Sequence, residues 1–168
     1  GCFIMQLPNN RIPSILIWDL IIDIIKQDNY FCNNTNGILY RKNNNTLAIY
    51  DKPLTSVEIV FSDNNLAVGV WHDNSVNIYN RNSLQIDKYT YYIDVASINI
   101  DISEAVRSVI KLSREILYTL ENNWNLKQEG MLLPNVEIDP TESFDYNDNQ
   151  ILFISTIKLF IETNTMYR

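Results

Sequence analysis

The stretch SILIWDLIIDII, residues 14–25, constrains the fold more than any other part of the chain. After Ser14, only Asp19 and Asp23 interrupt an otherwise apolar run. The eleven residues from Ile15 to Ile25 are too few to cross a bilayer, and two acids sit among them. As a strand, the run would bury both faces and set both aspartates beside Ile15, Ile17, Ile21 and Ile25. As a helix, Asp19, Asp23, Lys26 and Gln27 fall on one narrow polar stripe. Pro13 then supplies a turn and Ser14 an N-cap. The spacing predicts a helix with a thin wet stripe. A helix on a single sheet buries an apolar arc of roughly 100°, so this one needs further cover. Either a neighbouring chain supplies it, which makes Trp18, Ile22 and Ile25 candidate interface residues, or the second helix or residues 125–143 supply it within the chain.

The rest of the chain reads mostly as strands. Residues 28–36 read as a loop, and GILYR and TLAIYD (37–41 and 46–51) as a hairpin around KNNN. TSVEIVF (55–61), LAVGVW (66–71), VNIYN (76–80) and YTYYIDV (89–95) read as strands, with turns at SDNN and HDNS. In the last of these the apolar phase shifts to Ile98 and Ile100, which predicts a β-bulge near Ala96 and Ser97. Residues 101–124 form the clearest element. Asp101 and Glu104 make a capping box. Ile102, Val106, Val109, Ile110, Ile116, Leu117, Leu120 and Trp124 recur at helical spacing, with Arg107, Lys111, Arg114 and Glu121 largely off that face. Residues 125–143, with Gly130, Pro134 and Pro140, read as irregular. QILFISTIKLFIET (150–163) is a long strand with Ile151, Phe153, Ile157, Leu159 and Ile161 on one side and Lys158 and Glu162 on the other. No repeat or linker divides the chain. The expectation is a single α+β domain over 1–168: a mostly antiparallel sheet with an N-terminal helix, a long central helix and a long C-terminal strand.

Composition narrows the function. The net charge of −7 and a pI near 4.6 leave no basic stripe for phosphate neutralisation or for an anionic membrane surface. Hydrophobic residues at 46% and charged residues at 20% fit a globular core. High Asn and Ile with little Gly and Ala is AT-rich residue usage, so the sequons at Asn33 and Asn44 carry no glycosylation argument. The two cysteines, Cys2 and Cys32, read as reduced thiols. Gly1 before Cys2 lacks the basic region of a signal, and Met5 is a candidate start.

No catalytic, cofactor-binding or metal-binding motif is expected. The one histidine, His72, has Asp73 beside it, but strand neighbours point oppositely and make no dyad. Four glycines form no phosphate loop, and neither cysteine has a base nearby in sequence. Asp145, Asn147 and Asn149 sit at calcium-loop spacing, but Gln150 and Thr156 stand where glycine and a bidentate glutamate are required. Glu137, Asp139, Glu142 and Asp145 cluster as paired catalytic carboxylates would, yet a solvated acidic loop explains them more simply. The turn at His72, Asp73 and Asn74 is a candidate contact, since exposed hairpin tips carry interactions.

In layout the chain resembles the tail-terminator (tail-completion or neck) proteins of long-tailed bacteriophages. Four places carry the resemblance: the helix SILIWDLIIDIIKQD; the strand after a proline, KPLTSVEIVFSD; the strand running into the capped helix, YTYYIDVASINIDISEAVRSVIKLSREILYTL; and the acidic, Tyr-containing turn feeding the last strand, SFDYNDNQILFISTIKLFIET. It covers most of the chain as order and pattern, with extra strand material around 37–51 and 66–80. The resemblance implies a structural virion protein, not an enzyme, assembled in the host cytoplasm. It implies a homo-oligomeric ring, commonly hexameric, that caps the tail tube and joins it to the head-connector proteins. DNA would pass through the lumen without specific binding. Two further readings are a monomeric protein- or carbohydrate-binding module using Tyr-rich strand faces, and a hydrolase using the acidic loop.

Overall fold

A computed structural model describes residues 13–123, 132–147 and 149–164. The fold is α+β, with two long helices on one face of a sheet whose centre is a pair of long antiparallel strands. In chain order the elements are α1 (Pro13–Gln27), α2 (Asn29–Cys32), β1 (Tyr40–Arg41), β2 (Thr46–Leu47), β3 (Ile49–Tyr50), a 3-10 turn (Leu54–Ser56), β4 (Leu66–Trp71), β5 (Val76–Arg81), β6 (Leu84–Asn99), α3 (Ile102–Glu121), β7 (Leu132–Ile138), β8 (Glu142–Asn147) and β9 (Gln150–Asn164).

β6 and β9 pair without a register shift from Ile86↔Asn164 to Asn99↔Ile151. On one side of this ladder β4 and then β5 run along β6; on the other β7 and then β8 run along β9, and β3 adds to β4 in parallel. The bulge expected at Ala96–Ser97 is therefore absent from β6, and the extra residues sit in the flanking strands. Residues 72–75 stand opposite only Thr90 and Tyr91, and residues 139–141 opposite only Ser155 and Thr156. The apolar phase shift at Ile98 has another cause: both faces of the sheet are covered at that end. Val95 joins the helix-side core, while Ala96 joins a second cluster with Ala48, Leu54, Ile59, Ala67 and Ile154.

The helix-side core answers the question raised by α1. Ile17, Ile21 and Ile25 are fully buried, Ile24 nearly so, and Asp19, Asp23, Lys26 and Gln27 form the expected exposed stripe together with Ile15. The cover comes from α3 and from the helix-side residues of β4, β6 and β9, all within the chain. Trp18 Nε1 donates to the Val70 carbonyl (2.9 Å), and the Tyr91 hydroxyl donates to the Ser14 carbonyl (2.8 Å), which pins α1 across the sheet. Ser14 thus lies inside the helix, which already includes Pro13, and is not its N-cap.

Other boundaries also differ from the sequence reading. The loop at 28–36 contains α2, whose N-cap Asp28 accepts from the Tyr30 amide and also from the Thr119 hydroxyl of α3 (2.7 Å). The hairpin shrinks to Tyr40↔Leu47 and Arg41↔Thr46, because Ile49 and Tyr50 leave it to join β4. Residues 55–61 are not a strand, despite their alternation. Side chains satisfy their backbone instead: Val60 N donates to the Tyr50 hydroxyl, while Arg41 and the Tyr146 hydroxyl donate to the carbonyls of Val60 and Ile59. This segment covers the far side of the sheet. The chain just before it lies so close to the sheet that a Cβ on Gly69 would stand 2.6 Å from the Lys52 carbonyl oxygen.

In α3, Asp101 accepts from the amides of Ser103 and Glu104, but Asn99 takes the Asp101 amide, so only half of the expected capping box forms. The buried face is Ala105, Val109, Leu112, Ser113, Ile116, Leu117 and Leu120; Ile102 and Ile110 face solvent, and Trp124 lies outside the described residues. Residues 125–143, expected to be irregular, include β7 and the start of β8. Cys32 is a free thiol, while Cys2 and Met5 lie outside the described residues.

Candidate functional site

The two faces of the sheet end differently, and that difference defines the candidate site. Toward Ala96 the far face is closed by residues 48–61. Toward the β5–β6 hairpin it is open, and its alternate residues stand half exposed. Trp71 stacks on Tyr92 (4.1 Å between ring centroids, 15° between planes), Lys88 lies 4.9 Å from the Phe160 ring centroid, and Arg81 lies 5.4 Å from that of Tyr79. Arg81 also pairs with Glu162 (3.6 Å), which accepts a hydrogen bond from the Tyr79 hydroxyl. That carboxylate raises the Tyr79 phenol above its ordinary range. Lys158 pairs with Asp139 (3.5 Å). Each of these three cations has an acid or a ring against it. The face is therefore an aromatic and charge-paired wall and not a free basic patch of the kind that tracks phosphates.

The hairpin that bears this wall is set by its turn. Asn82 and Ser83 both have positive φ (51° and 67°) between the paired residues Arg81 and Leu84, which is a type I′ turn. The sequence reading missed the first half of β6. LQIDK hides its strand character because Asp87 is buried, and the available signal was the two-residue turn itself.

The residues expected at an interface separate into two groups. Ile22 and Ile25 belong to the chain's own core, and Trp18 is half buried against it with its N–H satisfied. His72 turns inward at the β4–β5 bulge. Its Nδ1 lies 2.7 Å from the Thr90 carbonyl oxygen and its ring stacks on Tyr91 at 4.6 Å. Asp73 and Asn74 remain at the exposed tip. The Ser75 hydroxyl and amide bind Asp73 and hold its carboxyl below the usual range.

The acidic cluster is split. Strand alternation puts Asp145 on the face opposite to that of Glu137 and Glu142. Asp139 and Glu142 line a small hollow of about 170 Å³ beside Asp94, Trp71 and Thr156. Asp94, 4% exposed, accepts from the Leu54 amide (2.9 Å), Trp71 Nε1 (3.1 Å) and the Thr156 hydroxyl (2.8 Å). Three donors make it the tie that holds the far-side segment to the sheet. Asp145, Asn147 and Asn149 belong to the β8–β9 hairpin. A wider groove of about 660 Å³ between α1 and β3 is floored by Trp18, Ile22 and Ile49 and rimmed by Asp19, Asp23 and Asp51 with Lys26 and Lys52. No described helix is long and apolar enough to cross a membrane. Comparison of the sequence with protein-family models gave no match, and neither did comparison with curated proteins.

Proposed function

We propose that this chain is a ring-forming structural subunit of a bacteriophage tail, capping the tail tube and joining it to the head connector. DNA would pass through the lumen. One observation carries the proposal: the chain covers one face of a long antiparallel sheet with its helices and leaves much of the other face as a half-exposed wall. A subunit that packs beside copies of itself has a use for such a wall, because adjoining sheets make a continuous lining. Two further properties agree with the proposal. The N-terminal helix, the strand running into the capped helix and the long last strand follow in the order on which the resemblance rests, although the strand expected after Pro53 does not form, and the net charge of −7 would repel a passing DNA strand instead of holding it. Such a subunit would be assembled in the host cytoplasm and end in the virion.

Negative-stain imaging with light scattering of the purified chain tests this. Flat rings of fixed symmetry, with six subunits the commonest expectation, are the predicted result. A monodisperse monomer at the highest soluble concentration overturns the proposal. The Trp71–Tyr92 stack on the open wall also suits a monomeric carbohydrate-binding module; glycan-array binding by a monomer would favour that second function.

A further inference from the structure

Two strand edges of the large sheet have no partner strand among the described residues, and they differ in charge. Among the described residues, β5 pairs only with β6, and β8 only with β9. Arg81 and Leu84 flank a two-residue turn, so they form a hydrogen-bonded pair, as do Tyr79 with Ile86 and Asn77 with Lys88. The backbone groups of Val76, Ile78 and Asn80 therefore point away from the sheet. By the same alternation carried across β6 and β9, those of Ser143 and Asp145 point outward from β8. Neither edge carries proline or lysine, the usual protections of a free edge. Ile78 is 57% exposed on β5 and Phe144 41% exposed on β8. The neighbouring edges are protected: β3 covers part of β4, and β7 contains Pro134, which has no N–H to offer.

We infer that successive copies of this chain join by strand addition, the outer edge of β5 in one copy pairing antiparallel with the outer edge of β8 in the next. Direction, face and charge agree. Within one sheet β5 and β8 already run antiparallel, so copies related by rotation, with helices on the same side, meet antiparallel. Opposed residues must lie on one face, so Asn77, Tyr79 and Arg81 meet residues of the Glu142, Phe144 and Tyr146 set. The register that overlaps both strands in full sets Arg81 opposite Glu142 and Tyr79 opposite Phe144. β5 contributes a cation and no acid, and β8 two acids and no cation. The two edges are different surfaces, so the contact is heterologous and repeats from copy to copy in place of stopping at a dimer.

The closure of this repeat into a ring rests on the function proposed above. The edges sit at opposite ends of the central ladder, β5 beside Leu84–Tyr89 and β8 beside the residues that pair with Ala96–Asn99. Each step is thus displaced along the strands by about 30–40 Å at 3.3 Å per residue. A closed ring then requires strands set at a steep slant to its axis.

The test is disulfide trapping in a Cys2→Ser, Cys32→Ser background. Tyr79 and Phe144 would be a non-hydrogen-bonded pair with Cα atoms about 4.5 Å apart, close enough for a disulfide. A chain carrying both Tyr79→Cys and Phe144→Cys should give a covalent ladder ending in a closed species, and each single variant should stay uncrosslinked. Glu142→Arg, which sets like charges against Arg81 of the next copy and leaves the Arg81–Glu162 pair within each chain intact, should weaken assembly about tenfold. Rings in negative stain without the ladder would overturn this edge pairing while leaving the ring function standing. Absence of both ladder and rings would overturn the two together. Self-crosslinking of the Tyr79→Cys chain would replace the heterologous contact with a two-fold one.

Discussion

The helix-side face and the far face of β6 share a backbone but not a task. Tyr91, Ile93 and Val95 look into a core closed along the strand by α1 and α3. One residue over, Tyr92, Asp94 and Ala96 look toward a surface that is closed at one end by residues 48–61 and open at the other. One face is built for stability and the other is left partly available. The sheet is held along its length from one side and at one end from the other, which leaves the open end of the far face for contacts.

Truncations on the two faces sharpen this contrast. Ile21→Ala removes a fully buried side chain between helix and sheet and should cost about 3–4 kcal/mol in urea unfolding. Leu54→Ala, at 1% exposure under a cover of irregular backbone, should cost about 2 kcal/mol, because that segment can settle into the space. Equal losses would mean that the far-side segment is as firmly packed as the helices.

Asp94→Asn tests the tie beneath that segment. The amide can accept with one atom only; with that oxygen kept on Leu54 and Trp71, which share one carboxylate oxygen, the Thr156 hydroxyl loses its acceptor, at a cost of about 1–3 kcal/mol. Faster amide exchange at Leu54, with α3 unchanged, is the accompanying signature. If exchange rises equally in both, the two faces unfold as one.

The smallest effect concerns Cys32 beneath α1. Burial, chiefly, and then the nearby Asp28 carboxylate push its thiol from 9.0 to about 11. In a Cys2→Ser background, alkylation of the folded chain at pH 8 should run roughly a hundredfold slower than in denaturant, following the thiolate fraction. The folded state holds this proton more tightly, so its contribution to stability is present below pH 9 and is lost as pH rises toward 11. Fast alkylation at pH 8 would mean that α1 lifts from the sheet.

Elements with one apolar side were legible in the sequence. β9 alternates cleanly, α3 carries Asp101 at its start, and the aspartates of α1 mark its wet stripe. What escaped were places where the surroundings decide. Residues 55–61 have a strand's pattern but a cover's job, and their backbone partners Tyr50 and Tyr146 lie 10 and 87 residues away along the chain. β7 and β8 were hidden by Pro134, which disfavours a central strand but suits the sheet edge that β7 occupies, and by Pro140 in the connection between them. The cover of α1 could not be read locally, because α3 and the sheet supply it together. The open wall depended on the first half of β6, where a buried Asp87 obscured the alternation.

The unbroken β6–β9 pairing also sets a timetable for folding. Every one of its contacts spans the whole of α3, β7 and β8. On the ribosome, β6 emerges with its hairpin partners on one side while its other edge waits for β9 to be synthesised. During that interval a long strand rich in tyrosine and isoleucine has an unpaired edge, and loop closure across so many residues is slow. Refolding of the complete chain should therefore be limited by this closure, with α3 and the β5–β6 hairpin forming early.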